Sequence, residues 1–312
     1  MRALILAVSA TSALVALSCG GGGGANSRSS ASASQDGLQH RHCVTIETPY
    51  ERLDFASEEV PLERGYIREA IERELLTTSC MHTGTALSIR RTTRYFPVIE
   101  PILEEYGLPT DFKYLAMAES GLNVNAVSPA RASGFWQFLE SAGKEYGLEV
   151  NDTVDERHHL EKATRAACEY LSAAYEQFGS WSLAAASYNA GRSGVERRLK
   201  IQDVDEYWDL FLPEETMRYV PRILSFKLLM GDPQRFGFDI DKDAMLKPFK
   251  HFKIVEISDR KIEWSKFAAD NNTTYRELRI LNPWIRDYEH KNPKRKTYEV
   301  KVPTYRFRKL GY

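Results

Sequence analysis

From about Pro61 to Met230, apolar residues recur every three or four positions, the period of helices with one buried face. Ile67, Ala70, Ile71 and Leu75 form one such stripe. Val98, Ile102 and Leu103 form another, stopped by Gly107. Leu160, Ala163, Ala167, Leu171, Ala174 and Phe178 make a longer one ending at Gly179, and its alanines allow close helix packing. Ser182 can cap a further helix through Leu183, Ala186 and Tyr188 to Gly191. A last helix is expected from about Glu214 to Met230, with Pro221 near its first turns. Strand alternation is absent, so the stretch reads as an all-α domain with a leading helical extension.

The pattern changes after Gly231-Asp232-Pro233. Phe252 to Ile257 has strand character. Trp264, Phe267, Ala268 and Ala269 suit a short helix, Thr274, Leu278 and Leu281 another, and Tyr298 to Val302 a closing strand before Pro303. This is the order of a small α+β module.

The N-terminus follows neither pattern. Ala3 to Leu17 is a continuous apolar run behind Met1-Arg2, too short for a comfortable membrane span but suited to a signal-peptide core. It ends Ala16-Leu17-Ser18-Cys19, which resembles the lipobox of bacterial lipoproteins, with Cys19 as the lipidated residue. The alternative is an ordinary cleaved signal peptide. Gly20 to Gly24 and a Ser/Ala-rich stretch to about Gly37 form a tether with no packing capacity. No later apolar run is long enough to span a membrane.

Composition narrows the function classes. A length of 312 residues implies about two domains. Lys+Arg is 42 against Asp+Glu 43, a formal net charge of -1, which excludes a strongly basic nucleic-acid binder and a highly charged disordered chain. Four cysteines are too few for a disulfide-built scaffold. His40-Arg41-His42-Cys43 is too cramped for a metal site, so no metal is expected. Cys43 and Cys80 could pair in an oxidising compartment, and Cys168 on its alanine-rich face is expected to be buried. Arg286 to Lys309 is locally basic, a solvated face or an attraction to anionic polymers.

One residue breaks the helical pattern. Pro109-Thr110-Asp111 opens a short helix, with Thr110 placed to cap it. Its apolar face is Phe112, Leu115 and Ala116, and the next position on that face is Glu119, just before Ser120-Gly121 ends the helix. Apolar surroundings and the negative helix end both disfavour the carboxylate and raise its pKa, as a general acid near neutral pH requires. A core glutamate can also simply pair with a buried arginine. No second carboxylate shares this stripe; Asp152, Asp155 and Glu156 lie in a polar loop and are expected to be solvated. The small-residue turn Ser128 to Gly134 leads into Phe135-Trp136-Gln137-Phe138, and Ser187-Tyr188-Asn189-Ala190-Gly191 offers a second polar and aromatic corner. Both can line a sugar cleft; both can equally be caps and core.

Glu119-Ser120, Gly134-Phe135-Trp136-Gln137, Tyr188-Asn189-Ala190-Gly191 and Glu215-Thr216-Met217-Arg218-Tyr219-Val220-Pro221 occur in that order. Together they resemble the catalytic domain of lytic murein transglycosylases of glycoside hydrolase family 23, of the membrane-bound D type. The resemblance implies a lysozyme-like α-helical fold with one catalytic glutamate, Glu119. It implies substrate-binding or glutamate-supporting roles for Ser128, Gln137, Tyr188, Asn189, Glu215 and Tyr219. Some relatives carry a second serine where this chain has Ala130, and Phe135 replaces a more usual Leu or Met. The implied reaction cleaves the β-1,4 bond between N-acetylmuramic acid and N-acetylglucosamine and closes a 1,6-anhydro ring, without cofactor. A hydrolytic muramidase and a non-catalytic wall-binding lipoprotein are the alternatives. Leu281-Asn282-Pro283 and the strand order of the C-terminal module look like a degenerate lysin motif, with Asp259-Arg260-Lys261 where the usual Gly-Asp-Thr turn would stand.

The expected organisation is therefore a signal peptide over 1–18, a lipidated Cys19 and tether over 19–44, a helical extension over 45–94, the catalytic domain over 95–237 and the lysin-motif-like module over 250–305. The expected partners are peptidoglycan strands and, through Cys19, a membrane, with no nucleic acid; the chain is expected to be a monomer. The family resemblance implies an outer-membrane anchor facing the periplasm.

Overall fold

The computed structural model describes residues 50–310. The expected signal peptide, Cys19, the tether and Cys43 lie outside the described residues.

The chain opens with a two-residue hairpin, β1 (Asp54–Phe55) and β2 (Glu58–Glu59), followed by α1 (Gly65–Cys80) and α2 (His82–Glu105). Then come α3 (Phe112–Ser120), α4 (Glu140–Glu145), α5 (Leu160–Phe178), α6 (Trp181–Ala190), α7 (Arg192–Gln202), α8 (Glu214–Met217) and α9 (Tyr219–Gly231). They enclose one apolar core around Phe55, Ile71, Leu115, Trp136, Leu171 and Leu224. α1 packs along α9, α3 on α9, and α2 and α6 on α5. The extension is therefore part of this core and not an appendage: Phe55, Ile71 and Leu75 are fully buried in it.

The long alanine-rich helix runs as its stripe predicts, Leu160 to Phe178 with Gly179 as a left-handed cap, and Cys168 is buried, its thiol pushed up to about 12 by desolvation. Four local expectations need correction. Ser180, not Ser182, caps α6, accepting from the Leu183 amide at 3.3 Å. Ser182 is buried instead beside Glu58, whose carboxylate accepts from the Ser182 amide (2.8 Å) and hydroxyl (2.7 Å) and from the Trp181 amide. Thr110 does not cap α3; Asp111 occupies the N-cap without a capping bond, and its side chain turns away to the Ala56 amide and Lys227, each at 2.8 Å. The expected helix from Glu214 is broken into α8 and α9 at Arg218, two positions before the Val220-Pro221 peptide that disfavours a continuous first turn. Asp155 and Glu156 are not solvated: they are 8% and 2% exposed and are held by Arg157 and Lys162.

The C-terminal module pairs β3 (Phe252–Ile257) antiparallel with β6 (Tyr298–Pro303), from Phe252 opposite Pro303 to Ile257 opposite Tyr298. Between them stand β4 (Lys261–Glu263), α10 (Trp264–Asp270), α11 (Tyr275–Leu281) and β5 (Glu289–Lys291), with β4 paired to β5. Thr274 and Glu277 form a capping box at α11. Trp264, Leu278, Trp284 and Val300 centre a second core. The β4–β5 pair and a last helix, α12 (Tyr305–Leu310), lie beyond the expected strand-helix-helix-strand plan, since three-residue strands are too short to show alternation.

The module is clasped to the helical body. The Asp155 amide donates to the Trp284 carbonyl and the Arg286 amide to the Thr153 carbonyl, both at 2.9 Å, so 153–155 and 284–286 pair like two short strands around the Val154–Ile285 bridge. Val154 is fully buried in the module's core. Lys296 reaches Glu149 at 2.7 Å and Glu156 at 3.3 Å, and Lys301 pairs with Glu161. The linker is itself fastened to α2: the Leu246 amide donates to the Arg90 carbonyl at 2.9 Å and the Thr93 hydroxyl to the Leu246 carbonyl at 2.8 Å. Among the described residues no helix is long and apolar enough to cross a membrane.

Candidate active site

Glu119 lies in the last turn of α3, one turn beyond the fully buried Leu115 and Ala116. The helix is stopped there by Gly121, whose φ of +57° is left-handed and whose carbonyl accepts from Arg91 at 2.9 Å. A Cβ at Gly121 would stand 2.6 Å from the Ser88 hydroxyl, so the end of α3 lies close against α2. Ser120 turns its hydroxyl to the Phe135 carbonyl at 2.8 Å, tying the end of α3 to the 123–138 segment.

Glu119 retains some solvent access but is densely packed round, and desolvation pushes its carboxyl up to about 7. The Tyr219 hydroxyl donates to its Oε1, which opposes the rise, as does the positive charge of Arg222; the Glu215 carboxylate adds to it. Burial is the larger influence, so the acid form persists to neutral pH. With Oε1 engaged by Tyr219, the other oxygen is left to carry the proton toward a ligand.

Tyr219 opens α9 and is almost wholly buried. Tyr188 is fully buried, which raises its phenol, and the nearby Glu119 charge adds to the rise. Its hydroxyl donates to the Trp136 carbonyl at 2.8 Å, and its ring meets Tyr170 and Phe138 edge-on at 5.1 and 5.9 Å. Asn189 accepts at its side-chain oxygen from the Thr216 hydroxyl at 2.8 Å, joining the end of α6 to α8. The structure thus brings Glu119, Tyr188, Glu215 and Tyr219 together, with Asn189 one bond away through Thr216.

Ser128 and Gln137 belong to the other side, the 123–138 segment. Ser128 closes a tight turn: its hydroxyl accepts from the Ala132 amide at 3.0 Å, and its own amide donates to the Ala132 carbonyl at 2.9 Å. Gln137 is buried with φ of +49°, and its amide nitrogen donates to the carbonyls of Gly134 (2.8 Å) and Ala126 (3.2 Å). Its nitrogen therefore holds the turn.

One buried side chain that the sequence alone does not mark, Arg157, frames this side. Arg157, 7% exposed, bonds both oxygens of Asp155 at 2.8 and 2.9 Å. Its Nη1 donates to the carbonyls of Arg131 (3.0 Å) and Phe138 (3.1 Å), bracketing the Ser128–Gln137 turn. Gly134 sits beneath it with φ of +79°, where a Cβ would fall 1.9 Å from the Arg157 carbonyl oxygen. Gly134→Ala is therefore expected to destabilise the protein by more than about 1 kcal/mol, since neither the dihedral nor a backbone carbonyl can yield cheaply. Urea unfolding measures this, and an unchanged midpoint would refute the close packing.

Comparison with known proteins places these features. Residues 97–211 match the family model "Transglycosylase SLT domain", and residues 253–306 match "Soluble lytic transglycosylase C-terminal LysM-like domain". Membrane-bound lytic murein transglycosylase D of Escherichia coli is 30% identical over 180 residues, covering 56% of this chain and 39% of that protein. The chain thus spans about two-fifths of the length of the curated relatives it matches. Among solved structures, the 70 kDa soluble lytic transglycosylase of Escherichia coli aligns with a TM-score of 0.41 at 21% identity, over 58% of this chain and 32% of that one. An inactive mutant of the lytic transglycosylase Slt of Pseudomonas aeruginosa aligns with a TM-score of 0.40 at 19% identity, over 61% and 37%. Carrying a transglycosylase SLT domain followed by a LysM-like domain, this chain is a homologue of the membrane-bound lytic murein transglycosylases D.

Proposed function

We propose that the protein is a peptidoglycan lytic transglycosylase that cleaves the N-acetylmuramic acid-β-1,4-N-acetylglucosamine bond and leaves 1,6-anhydro ends. The observation that carries this reading is the Glu119 carboxyl, held near neutral pKa by burial and oriented by the Tyr219 hydroxyl at the meeting point of α3 and α9. Protonated Glu119 gives its proton to the leaving oxygen as the glycosidic bond breaks. Positive charge at the anomeric carbon of the muramic acid is stabilised by the neighbouring acetamido oxygen. The Glu119 carboxylate then takes the proton of the sugar's own 6-hydroxyl, whose oxygen closes the ring on the anomeric carbon. The enzyme ends as it began, with Glu119 protonated; substrate participation is among the exceptions to two-carboxylate glycoside chemistry. Ser128, Gln137, Tyr188, Asn189, Glu215 and Tyr219 are assigned to substrate binding or to support of the acid.

Because the starting form is the protonated one, kcat is expected to fall as pH rises through about 7. Initial rates on purified peptidoglycan across pH 5 to 9 read this limb, and a rate still climbing at the alkaline end would exclude Glu119 as the acid.

The Glu215 carboxylate, within electrostatic reach of Glu119, favours one alternative: a hydrolytic muramidase in which Glu215 activates water. Mass spectrometry of released muropeptides separates the two, because anhydro ends are lighter than hydrolysed ends by one water.

The organisation proposed with this function is a signal peptide over 1–18, a lipid-bearing Cys19 with its tether to 44, the extension over 45–94, the catalytic domain over 95–237 and the module over 250–305. It puts the enzyme in the cell envelope, on the outer membrane and facing the periplasm. The similarity to a membrane-bound relative supports this placement.

A further inference from the structure

α1 lies before the residues that match the transglycosylase domain, yet it sends a carboxylate to the same corner of the core. Glu74 is 1% exposed. Its Oε1 accepts from the Arg218 Nε and its Oε2 from the Arg222 Nε at 3.2 Å. Those two arginines flank Tyr219 on the α8–α9 junction, one immediately before it and one a helical turn after it. Tyr219 donates to Glu119, and Arg222 is the positive charge that acts on Glu119. Thr78 adds a second tie between the same two helices, its hydroxyl lying 3.0 Å from that of Ser225.

A buried carboxylate between two guanidiniums is costly to assemble, and its value lies in fixing where the charges stand. With Glu74 in place, Arg222 is held by α1 and cannot turn to pair with Glu119. Without it, a half-buried arginine would be released to turn toward the Glu119 carboxylate on which its charge already acts, and pairing would stabilise the ionised form of the acid.

We propose that Glu74 is a positioning residue for Glu119, anchoring Arg218 and Arg222 on either side of Tyr219 so that both the tyrosine hydroxyl and the nearest cation keep their distance and direction from the catalytic carboxyl. The leading helix is on this account a working part of the catalytic centre. The inference rests on the reading of Glu119 as the acid. The charged or titratable groups that act on Glu119 are Tyr219, Arg222 and Glu215, and Tyr188 in turn feels its charge.

The test uses the full chain and purified peptidoglycan, with kcat measured across pH. Glu74→Gln keeps the volume and the hydrogen-bonding oxygen but removes the charge. The alkaline limb of its profile is expected to move down by about one pH unit. Glu74→Gln/Arg222→Gln is expected to abolish that downward shift and to put the limb where Arg222→Gln alone puts it, above the wild-type position. A folded Glu74→Gln protein whose rate falls equally at every pH, with the limb unmoved, would show a merely structural role and overturn the proposal. Should Glu74→Gln fail to fold, Arg222→Gln alone decides: the limb must move up, and an unmoved limb overturns the proposal. Glu119→Gln is run alongside. If that variant turns over like wild type, the assignment of the acid itself has failed; if it is inactive and the limb ignores Glu74 and Arg222, only the present inference has.

Discussion

Glu119→Gln should release no detectable anhydro-muropeptides, a loss of at least about 10³-fold, while binding glycan and keeping its fold. General acid-base catalysis contributes roughly 10² to 10⁴-fold, and here one side chain performs both proton transfers. Glutamine matches the shape of the glutamate and can still accept from Tyr219, so the loss reports on the proton alone. The substitution also has a stability signature. The folded-state pKa of Glu119, about 7, lies above its ordinary 4.5. A carboxyl shifted in that direction contributes stability that is complete below pH 4.5 and is lost as pH rises through about 7. Glutamine does not ionise and escapes that loss. The variant should therefore melt above wild type at pH 8 and alongside it at pH 4. A variant that is inactive but no more stable at pH 8 would mean that the carboxyl is not strained by burial in the free enzyme.

The largest effect on stability is expected from Arg157→Ala. This side chain satisfies both oxygens of a buried aspartate and two backbone carbonyls that frame the Ser128–Gln137 turn. Truncating it leaves Asp155 buried with only the residue-157 amide at 3.2 Å and the His158 ring at 3.6 Å beside it, a loss of about 3 kcal/mol. Chemical denaturation against wild type measures it, and a difference under about 1 kcal/mol would show that the pair is solvent-relaxed. The same turn carries two of the proposed substrate contacts. Any folded fraction should accordingly show a raised KM before a lowered kcat.

Much of this protein can be read from residue spacing because its helices are amphipathic and three of them, α3, α5 and α6, end on glycine. The stripe from Leu160 to Phe178 predicts α5 to the residue, and the carboxylate interrupting the apolar face of α3 marks Glu119. The same logic applies to Glu74, which falls between Ile71 and Leu75 on the buried stripe of α1 and is a second carboxylate on an apolar face. Arg157 had no such signal. It sits in a short polar segment, and its own partners, the Arg131 and Phe138 carbonyls, lie in a turn about twenty residues earlier, while the Asp155 amide beside it is held by Trp284, more than a hundred positions away. Asp155 and Glu156 look like solvated loop residues for the same reason. Local pattern reports which face of an element is covered, whereas contacts across the clasp depend on where two distant segments meet. The caps at Ser180 and Asp111 show a milder form of the problem, since Glu58 and Lys227 compete for groups that a local reading assigns to the helix end.

The clasp also changes what the linker is for. Strand-like pairing at 153–155 and 284–286, backed by Lys296 and Lys301, holds the module by contacts that do not involve the intervening chain. The covalent connection then serves chiefly to keep the effective concentration of the module high. In binding terms the module is a tethered ligand of the catalytic body, occupying a site whose floor is the loop that carries Arg157.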